Sequence, residues 1–167
     1  VSDGPVDVHE IPGAHITMLN RPHVDSLARV LTRMFPDHAL ADGAVLHTPD
    51  WRLEALHTPG HIGNHLCLAW GDACFTADHV MGWASSLVSP PDGDLTEYMR
   101  TTERLISLAP KRLMTGHGAP INDPADRLNW LIEHRRAREA QILDAIAVAP
   151  RRLEDIVKRV YQDIPQN

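Results

Sequence analysis

Leu66-Cys67-Leu68-Ala69-Trp70-Gly71-Asp72-Ala73-Cys74-Phe75-Thr76-Ala77 reads as two short apolar strands joined at a Gly-Asp turn, with Asp78 just past the second strand. Apolar runs on either side of a two-residue, Gly-led turn are the local signature of a hairpin. Before it, Trp51-Arg52-Leu53-Glu54-Ala55-Leu56 alternates as a strand does, and His57-Thr58-Pro59-Gly60-His61 follows as a loop. After it, Lys111 to Met114 predicts a further short strand, followed by the loop Thr115-Gly116-His117-Gly118. His61, Asp78 and His117 therefore share one situation: each follows a short strand, in a loop that contains Gly or faces a Gly-rich turn. If the strands lie side by side, the three side chains converge at one rim of a sheet, and loops on a rigid scaffold are where sites are built. Two imidazoles and a carboxylate suit Zn²⁺, and also Fe or Mn. Gly60, Gly116 and Gly118 let the backbone turn sharply and bring a short side chain close to a metal.

Helices are expected around this strand set. Asp25 and Ser26 cap a predicted helix with Leu27, Val30, Leu31 and Met34 on its apolar face, ending before Pro36. Asp94 with Glu97 resembles a capping box, and that helix runs to about Ala109 with Leu95, Tyr98, Met99, Leu105 and Ile106 inward. Asp123 followed by Pro124 starts a long helix reaching about Val148. Arg152 to Tyr161 is a last helix, with Leu153, Ile156, Val157 and Val160 on one face. Asp42-Gly43 is a turn signal, and residues 82–93 form a loop in which Trp83, Ser85 and Ser86 are candidate pocket residues.

The bulk composition sets the class. Of 167 residues, 43% are hydrophobic and 23% charged, which fits one globular domain or one with a small appendage. No apolar run reaches membrane-span length, and Val1 to Glu10 shows no signal-peptide pattern. A net charge of −6 weakens a nucleic-acid reading. Cys67 and Cys74 read as small buried residues rather than a disulfide, and a reducing cytoplasm is the default. Eleven His stand out, but a lone His is usually a surface or satisfied core group. His65 reads as structural, and so does His79. The run His134-Arg135-Arg136-Ala137-Arg138 is a basic helical face, read as a solvent face pairing with Glu133 and Glu139.

As an ordered set, these segments resemble the metallo-β-lactamase-fold hydrolase superfamily. His57-Thr58-Pro59-Gly60-His61 resembles its third motif, Phe75-Thr76-Ala77-Asp78-His79 its fourth and Thr115-Gly116-His117-Gly118 its fifth. The likeness extends over about Asp37 to Leu143, including Asp37-His38-Ala39-Leu40-Ala41-Asp42-Gly43 and Ser89-Pro90-Pro91-Asp92-Gly93-Asp94. It points to a beta-lactamase-like branch with a C-terminal winged helix, related to a mitochondrial endoribonuclease and, more distantly, to glyoxalase II. The resemblance implies an α/β fold: an αββα sandwich, here with an incomplete N-terminal part, over residues 1–123. A long helix and a truncated winged-helix region follow over 124–167. It also implies two metals, Zn²⁺ with Fe or Mn as alternatives. His61 serves one metal, His117 the other, and Asp78 bridges them. Metal-activated water then hydrolyses an ester, thioester, lactone or phosphodiester. The substrate is a small molecule or RNA, the latter making the protein an endoribonuclease. The resemblance admits a homodimer and gives no reason to expect a membrane.

The chain departs from this pattern. The family's His-x-His-x-Asp-His motif is absent as written. Arg21-Pro22-His23-Val24-Asp25-Ser26 is its best remnant, which makes His23 and Asp25 further candidate ligands. The opening strands of the fold are also missing, and the expectation is that these residues omit segments of a longer protein. The competing reading is a metal-poor, non-catalytic binding or regulatory module, favoured by Arg21, Ser26 and Ala77.

Overall fold

A computed structural model describes residues 40–47, 51–147 and 152–161. The helix expected over 25–34, His23 and Asp25 lie outside these residues. In chain order the elements are β1 (Val45–His47), β2 (Arg52–His57), β3 (Leu66–Trp70), β4 (Ala73–Ala77), α1 (Leu95–Leu108), β5 (Arg112–Thr115), α2 (Pro124–Ala147) and α3 (Leu153–Val160). The five strands form one sheet in the order β1-β2-β3-β4-β5. The hairpin falls where the Gly-Asp turn predicts it, with Trp70 opposite Ala73. β1 is an addition that the turn at Asp42-Gly43 announces without resolving. It pairs Leu46 with Leu53, and both are buried.

β1 to β4 are antiparallel in succession, whereas β4 and β5 run parallel. β2, β4 and β5 therefore point the same way, and their C-terminal ends share one rim of the sheet. This is the shared rim expected from the sequence, with β3 interposed between β2 and β4. The β4–β5 register shifts between Phe75 and Ala77. Ala77 closes the strand with φ 40, a left-handed value uncommon for a residue with a side chain.

One sheet face carries the core. Leu56 lies opposite Cys67, Ala69 opposite Cys74, and Cys74 opposite Leu113. These residues cluster with Val80, Leu105 of α1, and Leu128 and Leu131 of α2. Both cysteines are buried and free, as expected. The first half of α2 is thus part of the core of the sheet. Farther along, Leu143 and Ile146 are exposed.

α1 begins as its cap predicts, with the Asp94 carboxylate accepting from the Glu97 amide at 2.9 Å. Its inward face differs from expectation at one end. Leu95 is exposed, while Thr101 and Thr102 are buried beside Tyr98 and Leu105. The two threonines are tolerated because their hydroxyls donate to the carbonyls of residues one turn back. Asp123 caps α2 weakly, accepting from the Asp126 amide at 3.4 Å, with Pro124 at the first helical position. On α3, Val160 is buried, but Leu153 and Val157 are exposed. No wing and no second sheet lie among the described residues.

Candidate functional site

The rim is built loop by loop. After β2, the Thr58 hydroxyl donates to Cys67 Sγ at 3.2 Å and accepts from His65 Nδ1 at 2.9 Å, which ties the loop to β3. Both Thr58 and His65 are buried, so His65 is structural, as expected. The Pro59 carbonyl lies 2.9 Å from Thr101 Oγ1, an alternative acceptor for that hydroxyl, and the Gly60 carbonyl accepts from the Asp94 amide at 2.8 Å. The loop therefore rests on the start of α1. Gly60 has φ 145, and a Cβ there would lie 2.4 Å from the Tyr98 Cα. Only glycine fits so close to the helix in that conformation.

His61 follows, half-buried, and its Nδ1 donates to the Leu87 carbonyl at 2.6 Å. A carbonyl can only accept, so Nδ1 carries the proton and the Nε2 lone pair is left over.

After β4, the turn at Ala77 swings Asp78 out of the strand. After β5, the Gly116 amide donates to the Ala77 carbonyl at 3.0 Å. Asp78 and His117 then meet, with Oδ1 to Nε2 at 3.4 Å and both side chains reaching solvent. The His117 carbonyl accepts from the Thr115 hydroxyl at 3.0 Å and from the Gly82 amide at 2.9 Å, which fixes the loop beyond β5.

His79 turns inward, fully buried, while Asp78 turns outward. Its Nε2 stands 3.2 Å from Thr102 Oγ1. Burial, aided by the His65 and His61 imidazoles, pushes its pKa down to about 3, so it is neutral near pH 7. Its carbonyl accepts from Ser86 Oγ at 2.8 Å and Tyr98 Oη at 3.1 Å. Ser86 is thus buried in the loop's own support. Trp83 and Leu87 are the residues of this loop that present large apolar surface, 73% and 71% exposed. Trp83 lies against Gly118, where a Cβ would meet its Cδ1 at 3.1 Å. The two apolar groups therefore stand beside the His117 loop and beside the carbonyl that holds His61.

The structure thus gathers Asp78 and His117 into a pair and places His61 on the same rim. Among the described residues, no group of three or more His, Cys, Asp or Glu is close enough to hold a metal ion. His23 and Asp25 lie outside the described residues. The donor chemistry suits a divalent metal: a carboxylate, an imidazole Nε2 facing it, and a second imidazole whose Nε2 is left free.

Sequence reasoning missed two residues that shape this rim. Arg127 and Arg135 of α2 donate to carbonyls of the loop at 81–86. In the basic run, Arg136 pairs with Glu103 at 3.0 Å, and Arg138 donates to the Val160 carbonyl and lies over the Tyr161 ring. A backbone carbonyl leaves no mark in the residue string, so nothing in the sequence distinguishes these arginines from a solvated face. Among the described residues no helix is long and apolar enough to cross a membrane.

No protein-family model matches the chain. The chain is 33% identical over 134 residues to a beta-lactamase-like protein 2 homolog from Drosophila melanogaster, covering 78% of this chain and 44% of that protein. It is 33% identical over 133 residues to an atrochrysone carboxyl ACP thioesterase from Claviceps purpurea, covering 73% of this chain and 41% of that protein. The chain spans less than half the length of these relatives. Among solved structures, a beta-lactamase domain protein from Burkholderia ambifaria matches with TM-score 0.67 at 22% identity, over 83% of this chain and 48% of that one. A metallo-beta-lactamase family protein from Thermus thermophilus matches with TM-score 0.65 at 21% identity, over 86% of this chain and 55% of that one. The structural matches show the fold, and the sequence matches each cover more than two thirds of the chain. The chain has the metallo-β-lactamase fold, and its sequence relatives are named as beta-lactamase-like proteins and thioesterases.

Proposed function

We propose that this chain carries part of the active site of a metal-dependent hydrolase acting on an ester or thioester with an apolar acyl group. The observation that carries the reading is the rim itself, where Asp78 Oδ1 faces His117 Nε2 at 3.4 Å. His61 would be one metal ligand through its free Nε2, Asp78 and His117 would supply the others here, and His23 and Asp25 are candidates for the remainder. A divalent metal held by these groups supplies acidification of water and polarisation of the scissile carbonyl near neutral pH. The chain's own residues orient and exclude. The Leu87 carbonyl fixes the His61 ring. The exposed Trp83 and Leu87 side chains offer an apolar lip for the acyl group. The thioesterase named among the relatives supports an acyl substrate over a phosphodiester, and so does the net charge of −6. Zinc is the first choice of metal, with iron or manganese as alternatives.

The test is a substrate panel of thioesters, esters, lactones, a phosphodiester and short RNA, run on the full-length protein after reconstitution with zinc, iron or manganese. Turnover of an ester or thioester that Asp78→Ala abolishes is expected. Turnover confined to RNA would replace the acyl reading with an endoribonuclease. A second reading, a metal-poor binding module, is favoured by Arg21 and Ser26 in the remnant of the His-x-His-x-Asp-His motif and by Ala77 before Asp78. Lack of turnover on the whole panel in a metal-loaded protein would select it.

A further inference from the structure

We propose that Arg135 and Arg127, on α2, are positioning residues that fix the tautomer and orientation of His61 through the carbonyls of the loop at 81–87. The inference rests on the site reading above for its metal arm only.

His61 sits on a loop, and an imidazole there can place its proton on either nitrogen. The 2.6 Å bond from Nδ1 to the Leu87 carbonyl selects one tautomer and one ring orientation. That choice is only as firm as the carbonyl that makes it. Leu87 belongs to an irregular stretch with no helix or strand between Ala77 and Leu95. No strand ladder holds the carbonyls of Met81, Ala84 and Ser86, and side chains hold them instead.

α2 supplies them. Arg127 donates to the Met81 carbonyl through Nε at 3.2 Å and Nη2 at 2.9 Å, and through Nη2 to the Ala84 carbonyl at 2.6 Å. Arg135 donates through Nη2 to the Ser86 carbonyl, the one immediately before Leu87. The spacing Arg127, Leu131, Arg135 keeps both guanidinium groups on the helix face that buries Leu131. From below, the Ser86 hydroxyl pins the same residue to the His79 carbonyl at 2.8 Å. Arg135 is itself held over the Tyr98 ring, its Cζ 5.3 Å from the centroid. The loop is thus gripped at Met81, Ala84 and Ser86, and the next carbonyl is presented to His61. A planar fork with several donors can grip several carbonyls at once, whereas a lysine is a point charge.

The test uses the metal-free folded protein, with ¹⁵N chemical shifts of the His61 ring nitrogens read at pH 8. The wild type is expected to hold the proton on Nδ1. Arg135→Met is expected to shift His61 towards the free-imidazole distribution, in which Nε2–H predominates, with Arg135→Lys in between. Arg136→Met is the control, since Arg136 pairs only with surface Glu103 in the described contacts, and it is expected to change nothing. Should Arg135→Met fail to fold, Arg127→Lys is read in the same way. A wild type with the proton on Nε2, or folded Arg135 and Arg127 variants that keep it on Nδ1, overturns the proposal. The second readout is zinc affinity by competition with a chelator, expected to fall about tenfold or more in Arg135→Met. If the wild type binds no zinc, the metal-site reading fails, while the tautomer result still decides the role of the two arginines.

Discussion

Gly116 leaves no room for a side chain beside Asp78: a Cβ there would lie 2.8 Å from Asp78 Oδ1 and 3.1 Å from the Ala77 carbonyl carbon. The loop after β5 thus shapes the space in which the Asp78 carboxylate sits. Gly116→Ala should push the carboxylate aside, because it is the mobile end of the contact, while the backbone gives by a few tenths of an ångström. The expected cost in stability is about 1–2 kcal/mol, against loss of most of the proposed hydrolase activity. Parallel urea denaturation and turnover measurements check it. A variant with full activity would show that the Asp78 position is not critical.

Gly60 is constrained by backbone rather than by a side-chain tip. With φ 145 and the Tyr98 Cα 2.4 Å from a Cβ, neither conformation nor space admits alanine. Gly60→Ala should destabilise by at least about 3 kcal/mol, through strain and displacement of α1. Chemical denaturation reads this directly, and a loss below about 1 kcal/mol would mean that the contact relaxes freely.

Asp42 joins three segments. Its Oδ1 accepts from the His57 amide at 2.8 Å and from Arg104 Nη1 at 2.7 Å. These two donors, the Arg104 hydrogen bond first, hold its pKa below the ordinary 3.8. A carboxylate depressed in the folded state contributes stability above its unfolded pKa, and that contribution is lost as pH falls through the folded value. Because the pair is half-exposed, its worth is screened. Asp42→Asn should therefore cost about 1 kcal/mol at pH 7, with the difference from wild type shrinking as pH drops below about 4. Denaturation midpoints at pH 7 and pH 3 decide it, and an equal difference at both would contradict the ionic account.

Leu128 and Leu143 separate the two ends of α2. Leu128 is 1% exposed in the core and Leu143 is 57% exposed. Leu128→Ala should cost about 2–5 kcal/mol, and Leu143→Ala less than about 0.5 kcal/mol. Similar losses at both sites would show that another surface covers Leu143.

The sheet was largely legible because its signals are local. The Gly71-Asp72 turn fixed the hairpin, and strict alternation marked β2. The Asp94 and Asp123 caps marked both long helices. β1, three residues long, carries too few positions for a period to show. The inward face of α1 was misread at Leu95, which is exposed, and at Thr101 and Thr102, whose hydroxyls can be satisfied within the helix. The rim was legible in part. His61, Asp78 and His117 each follow a strand, so the parallel direction of β2, β4 and β5 brings their loops to one end. The roles of Arg127, Arg135 and the Leu87 carbonyl were not legible, because they depend on a loop meeting helix residues 43 to 49 positions later in the chain.

The most direct test of the site is metal stoichiometry. The full-length protein would be purified, reconstituted with zinc, dialysed free of excess and measured by plasma mass spectrometry beside Asp78→Ala. At least one tightly held transition metal per chain is expected in the wild type, with a clear loss in the variant. Well under one metal per chain in the wild type after reconstitution, or full retention in Asp78→Ala, would contradict that expectation.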